Sequence, residues 1–357
     1  MQEIKSNEIS VIVQGRVEMP ATRKCLQSIR KYLPDAEIVL STWENSDLTH
    51  IKGLYNILVL NKDPGAVIFD DKENKQNNLN RILVSSQNGI KAATRKYVLR
   101  LRSDLILKNK NVLKLADNFK VRNHEKSLFK QRIFAYDIFS IKYDIKKRTK
   151  QRMLFHISDW CYLGLKEDLE EFFNVPLVKE PDFSRYFELQ SKPADDIHTT
   201  RLWKMSPEQY FTSVNAVKVF KDLKFNNYLD VTEDNIIISE EFIINNFRVF
   251  SQKEWGISTL KEEYKTIKMS VHSPFIYYSK VEQLKDYKKY CDNTAEILEL
   301  DFLQKLYDTK YYESLRKHFL QLIYCKPTKK ITELISTTSY LFKFIFSAIK
   351  ECGWKKK

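Results

Sequence analysis

A chain of 357 residues with 43% hydrophobic and 13% aromatic side chains, but only 7 Gly and 9 Pro, is composed like a folded protein, which excludes long disordered linkers. Its net charge of +14 is unevenly spread, because from Leu315 onward ten Lys or Arg stand against two acids. That distribution points to a local anionic partner and argues against a nucleic-acid-coating surface. The cysteines (Cys25, Cys161, Cys291, Cys325 and Cys352) are odd in number and lack metal-ligand spacing, so a reducing cytoplasm is expected. Residues 1–6 have no apolar core for a secretory signal. No run reaches the roughly 18–20 apolar residues of a spanning helix.

Residues 8–13 read as a buried strand that closes on the turn Gln14-Gly15-Arg16. Residues 21–32 read as a helix stopped by Leu33-Pro34-Asp35. A second strand over 36–40 closes on Ser41-Thr42-Trp43-Glu44, and a third over 55–60 closes on Asn61-Lys62-Asp63-Pro64-Gly65. Residues 78–96 follow as a helix, with Leu79, Ile82, Leu83, Ile90 and Ala93 turned to the sheet. The fourth strand, 97–102, ends abruptly in charge at Arg102-Ser103-Asp104. This β-α-β-β-α-β order predicts a doubly wound, mostly parallel α/β sheet. If the strands are parallel, Gln14, Glu44 and Asp104 meet at one rim, where open α/β sheets bind ligands.

Beyond residue 105 the pattern is less regular. It holds a basic stretch over 142–152, read as a solvated face, and a compact block running from His156 to Gly164. Ser206-Pro207-Glu208 looks like a helix start, since Ser caps, Pro suits the first helical position and Glu favours the positive end of the dipole. Residues 236–250 carry helix and strand signals together, which the pattern leaves open. Residues 279–317 are helical and charged in character. In 331–349 a narrow polar stripe (Ser336, Tyr340, Lys343, Ser347) runs along an otherwise apolar surface with aromatic anchors, a pattern suited to a membrane interface. Three units are expected: an α/β domain over 1–255, a helical extension over 256–330 and a basic amphipathic tail over 331–357.

Several of these segments resemble the WavE-type lipopolysaccharide-synthesis proteins: Ile9-Ser10-Val11-Ile12-Val13-Gln14-Gly15, the run from Ser28 to Glu44, Arg100-Leu101-Arg102-Ser103-Asp104, Ser158-Asp159-Trp160, Pro207-Glu208-Gln209-Tyr210 and Asn245-Asn246-Phe247. The resemblance covers about residues 8–250 and leaves out the basic tail. It implies a bacterial glycosyltransferase of the GT-A nucleotide-sugar-binding fold, working on lipopolysaccharide or capsule. Many GT-A enzymes carry Asp-X-Asp, whereas this chain has a single carboxylate in Arg102-Ser103-Asp104.

From these residues a site is expected. Asp104 would hold Mg²⁺ or Mn²⁺ on the donor's diphosphate, with Arg100, Arg102 and Ser103 beside it. Gln14 and Gly15 would approach the nucleotide, with Trp43 and Glu44 near the base. Asn77 and Arg81, at the start of the second helix, are placed for a phosphate. Asp159 is the first candidate for a general base and Glu208 the second, with His156 and Trp160 as acceptor contacts. Asp195, Asp196 and His198 read as a solvated loop. The expected partners are a nucleotide-activated sugar, a glycan or lipid-linked acceptor and, through the tail, the inner leaflet of the cell membrane, with no nucleic acid. Transfer of a phosphate-linked polyol or sugar from a CDP-type donor is the nearest alternative. A non-catalytic protein that binds anionic polymers is the alternative from another class.

Overall fold

The first strand, β1 (Ile9–Gln14), is buried along its whole length, so its residues serve two cores at once. Ile9, Val11 and Val13 join Cys25, Leu26 and Ile29 of helix α1 (Ala21–Tyr32) on one face. Ile12 joins Leu79, Leu83 and Ile90 of helix α2 (Leu79–Ala92) on the other. A strand covered on both faces has no polar alternation, which is why it reads as a continuous apolar run. The helices follow their expected spans closely, and Ile82 and Ala93 also pack against the α2-side core.

We describe this architecture from a computed structural model that covers residues 4–70, 75–144, 151–189, 202–260, 275–295 and 330–351. After β1 and α1 come β2 (Glu37–Trp43) and β3 (Ile57–Asn61), then a hairpin that the sequence did not signal, β4 (Val67–Asp70) with β5 (Lys75–Asn77). Strand β6 (Tyr97–Arg102) follows α2. Next come β7 (Leu105–Leu107), β8 (Ile133–Tyr136), β9 (Ile141–Asp144), β10 (Gln151–Arg152) and β11 (Cys161–Leu165). Helices α3 (Lys166–Phe173), α4 (Tyr186–Leu189), α5 (Pro207–Val219) and α6 (Glu233–Asn246) lead to β12 (Phe247–Phe250). The expected α/β class holds: the central seven-stranded sheet has the order β12-β8-β11-β6-β1-β2-β3. It is parallel throughout except for β11, which runs against both β6 and β8.

The ambiguous signals over 236–250 have a simple cause: α6 and β12 abut without a loop, the chain turning extended at Phe247. Asn245 and Asn246, part of the family-like segment, work as staples here. The Asn246 side chain accepts from Leu128 N at 2.7 Å and donates to Lys126 O and Phe242 O, while Asn245 Oδ1 accepts from Asn123 N at 2.8 Å.

The segment expected as a helical extension also contributes strands. After the short helix α7 (Gln252–Trp255), β13 (Ile257–Thr259) pairs with β7 and β14 (Phe275–Tyr277) pairs with β9. Helix α8 (Lys280–Tyr290) then packs on α6. Its Gln283 bonds both Val249 N and Val249 O, covering the backbone of edge strand β12. The last described helix is α9 (Lys330–Glu351), on which Ile331, Ile335, Phe342 and Phe346 are exposed. Among the described residues no helix is long and apolar enough to cross a membrane. Asp195, Asp196 and His198 lie outside the described residues, as do 145–150 of the basic stretch, 296–329 and 352–357.

Candidate active site

Parallel pairing decides where the strand tips go. Gln14 at the end of β1 stands in register between Ser41 of β2 and Arg102 of β6, and Trp43 pairs with Asn61 at the end of β3. All four strands therefore finish at one edge. Strand β11 runs the other way, so its beginning arrives where theirs end: Cys161 stands opposite Leu101, and Arg102 N donates to Trp160 O at 3.3 Å. Asp159 is thereby delivered to the same edge.

A cleft of about 770 Å³ opens there. Of the residues expected at a site, Gln14, Gly15, Trp43 and Arg81 line it, as do Arg102, Ser103, Asp104 and Asp159. Gly15 adopts a φ of +108°, a conformation side chains resist, and bends the backbone after β1. Its N–H donates to Ser41 O, while Ser103 N donates to Gln14 O and Ser103 Oγ to Arg16 O. The Gln14 side chain is held by Ser85 of α2, whose hydroxyl donates to Oε1 at 2.6 Å. Two arginines are held in bidentate pairs. Arg102 donates from Nε and Nη2 to the two oxygens of Asp104, at 3.1 and 2.7 Å, with its guanidinium 4.6 Å above the Trp160 ring. Arg81 grips Asp63 in the same way, at 2.8 and 2.7 Å, and this bond keeps the Asp63 carboxyl below the usual carboxylate range.

Other expected residues stand elsewhere. Glu44 is exposed and does not line the cleft. Asn77 is buried and works locally, accepting from Leu79 N at the start of α2 and donating to Ser184 Oγ. Arg100 is fully buried and does not reach the cleft. His156 is buried, its Nδ1 2.9 Å from Phe139 O, and burial pushes its pKa down to about 4, so the ring is neutral. Trp160 is buried, with the Arg102 guanidinium over its ring, and so offers no exposed face to a sugar.

The two candidate bases form an acidic pair. Ser206 caps α5 in a reciprocal box with Gln209, with Pro207 at the first helical position, and this start brings Glu208 into electrostatic reach of Asp159. Burial, and next the Glu208 charge, push the Asp159 carboxyl up to about 6 against the pull of Arg100 and Arg102. Burial also raises Glu208, against local hydrogen bonds and Arg102. A carboxyl poised near 6 and lining a cleft is suited to proton transfer near neutral pH.

Among the described residues no three His, Cys, Asp or Glu side chains cluster as metal ligands. A divalent cation at Asp104 would have that carboxylate, shared with Arg102, as its protein ligand and would fill its shell with phosphate oxygens and water, as Mg²⁺ commonly does in nucleotide sites. The residues therefore fit a cation that arrives with its ligand.

Most cleft residues that were not singled out come from the loops after the strands, Arg16 and Glu18 after β1, Asn45 to Asp47 after β2 and Asp63 after β3, while Gln76 comes from β5 and Ile82 from α2. A signal existed, because every turn closing a parallel strand belongs to the same rim.

The profile of the family described as WavE lipopolysaccharide synthesis matches residues 9–324, running well past the boundary near 250 drawn from the sequence. No curated protein matches the chain.

Proposed function

The chain belongs to the WavE lipopolysaccharide-synthesis family, and from that premise we propose that it is a GT-A-like glycosyltransferase that moves a sugar from a nucleotide-activated donor to a lipid-linked or growing surface polysaccharide. The observation that carries this reading is the convergence of four parallel strand tips and the start of β11 on one cleft that holds arginines, a glycine turn and a buried carboxyl. The backbone after Gly15, together with Ser103 and the guanidinium groups of Arg81 and Arg102, receives the donor diphosphate. Because both arginines already hold a carboxylate in a bidentate fork, a diphosphate replaces one anionic partner with another of like geometry. Bound at Asp104, Mg²⁺ or Mn²⁺ would neutralise charge developing on the leaving diphosphate. As the acceptor oxygen bonds to the anomeric carbon and the bond from that carbon to the diphosphate breaks, Asp159 takes the hydroxyl proton. Burial, with the Glu208 charge behind it, keeps the Asp159 pKa high enough for that transfer. Acceptor binding brings the enzyme to the inner leaflet, with the exposed apolar residues of α9 lying in the interface.

The test is to incubate the purified protein with radiolabelled UDP-, GDP-, ADP- and CDP-linked donors and membrane acceptor, and to identify the released nucleotide. A nucleoside diphosphate together with labelled glycan is expected. Release of a monophosphate moves the assignment to phosphate-polyol or phosphate-sugar transfer at the same rim. For the tail, flotation with anionic vesicles should carry the whole protein upward and leave a chain ending at residue 329 behind; equal flotation of the two contradicts the membrane assignment.

A further inference from the structure

Arg100 has no place in the mechanism above, and its surroundings are unusual for a charged group. The side chain is wholly shielded from solvent. Its guanidinium lies 5.9 Å from the Tyr162 ring centroid and 5.5 Å from that of Phe173. It donates from Nη1 to the backbone carbonyl of Asp159 and from Nε to Ser86 Oγ at 3.1 Å, while Nη2 has no hydrogen-bond partner among the described residues. Among those residues no carboxylate forms an ion pair with it, which is rare for a buried arginine because an uncompensated interior charge is strongly unfavourable. The nearby acidic group with which it interacts is the Asp159 carboxylate.

From this geometry we infer that Arg100 is a positioning residue for Asp159. Its guanidinium, anchored beneath the cleft by Ser86 and two aromatic rings, fixes the peptide that carries the carboxylate and supplies the buried positive charge that keeps that carboxylate ionisable. This inference rests on the reading of Asp159 as the base. The remaining charged and titratable groups facing Asp159 are Arg102 on β6, His156 upstream in its own segment, Tyr162 on β11 and Glu208 on α5. His156 is neutral at working pH, and Tyr162, pushed well above its ordinary value by burial, also stays neutral. Glu208 opposes ionisation of Asp159, and the Arg102 charge is shared with Asp104. Arg100 is therefore the buried cation that offsets both desolvation and the neighbouring acid.

The sign follows directly. A cation near a carboxylate lowers its pKa, so removing Arg100 moves the Asp159 midpoint upward, by roughly one pH unit or more. The experiment follows the carbon-13 resonance of the Asp159 carboxyl through a pH titration of the full chain, in wild type, Arg100→Gln and Arg100→Lys, alongside pH–rate profiles. In Arg100→Gln the midpoint and the acidic limb of kcat should rise together, with donor KM unchanged, and Arg100→Lys should recover most of the shift. A folded Arg100→Gln protein with the wild-type midpoint overturns the inference, as does a uniform loss of rate at every pH with an unmoved limb. Should Arg100→Gln fail to fold, Ser86→Ala loosens the Nε anchor alone, and a midpoint identical to wild type is then the refuting result. The resonance needs no substrate, so a shifted midpoint in a protein that transfers no sugar refutes the transferase reading while leaving the coupling of Arg100 to Asp159 intact.

Discussion

Two arginines two residues apart on β6 divide the cleft into a wall and a floor. Arg102, at the strand tip, is partly exposed and sits in a bidentate pair with Asp104, as Arg81 does with Asp63 across the opening. Arg100, one step deeper, is sealed from water beside Asp159. Pairs on the wall contribute little to folding, because both arginines are partly exposed and solvent screens part of their charge, although Asp104 itself is buried. They can therefore exchange a carboxylate for a phosphate at small cost. On the floor desolvation sets protonation, and each group holds its neighbours. The wall is thus built to bind and the floor to move a proton.

Removing the floor's working group should have the largest effect. Asp159→Asn is expected to lower turnover about 10²–10⁴-fold with donor affinity kept, measured by steady-state kinetics. The same substitution sharpens the contrast through stability. With its folded pKa raised to about 6, Asp159 favours folding below its unfolded value near 3.8, and that contribution is lost as pH rises through 6. At pH 8 Asp159→Asn should consequently melt higher than wild type, by about 1–3 kcal/mol of stability, and the gain should vanish near pH 4. Wild-type activity should fall on acidification with a midpoint near 6.

The support beneath the floor comes next. A Cβ at Gly89 of α2 would lie 2.5 Å from Ile12 Cγ2 and 2.9 Å from Ser41 Cβ, so the helix rests directly on β1 and β2. Gly89→Ala should cost about 1–3 kcal/mol in denaturant unfolding. Equal stability to wild type would mean that the helix is free to lift.

On the wall, Arg102→Ala should raise donor KM about tenfold, the loss of one charge-assisted pair, and should change unfolding free energy by less than about 1 kcal/mol. A large loss of stability would erase the distinction between wall and floor. Smallest of all, Arg81→Ala should raise donor KM only a few-fold, because Arg81 is the more exposed of the two and water can replace part of its contact.

Much of the wall was legible in the sequence because the first hundred residues obey local rules. Continuous apolar runs gave β1, β2 and β6, periodicity gave α1 and α2, and parallel order placed Gln14, Glu44 and Asp104 at one rim, of which Gln14 and Asp104 line the cleft and Glu44 does not. Asp159 and Glu208 were legible as acids in compact motifs, though nothing local showed that β11 is antiparallel, and that reversal is what carries Asp159 to the rim. The difference between Arg100 and Arg102 was not legible either: both alternate in phase on the same strand, and depth is a tertiary property. Asn77 read as a phosphate contact because a helix start attracts anions, and Trp160 as an acceptor contact because it stands beside a carboxylate. Here the helix start at Leu79 and the Arg102 guanidinium claim them first.

Binding at the strand rim is the claim on which the rest depends, and a melting-temperature titration of the full chain with nucleoside mono- and diphosphates, with and without Mn²⁺, tests it most directly. At least one nucleotide should raise the wild-type midpoint as its concentration passes saturation. That rise should disappear in Gly15→Val, where the +108° backbone cannot be kept without strain. If no nucleotide raises the midpoint, or if Gly15→Val responds as wild type does, the rim is not the donor site.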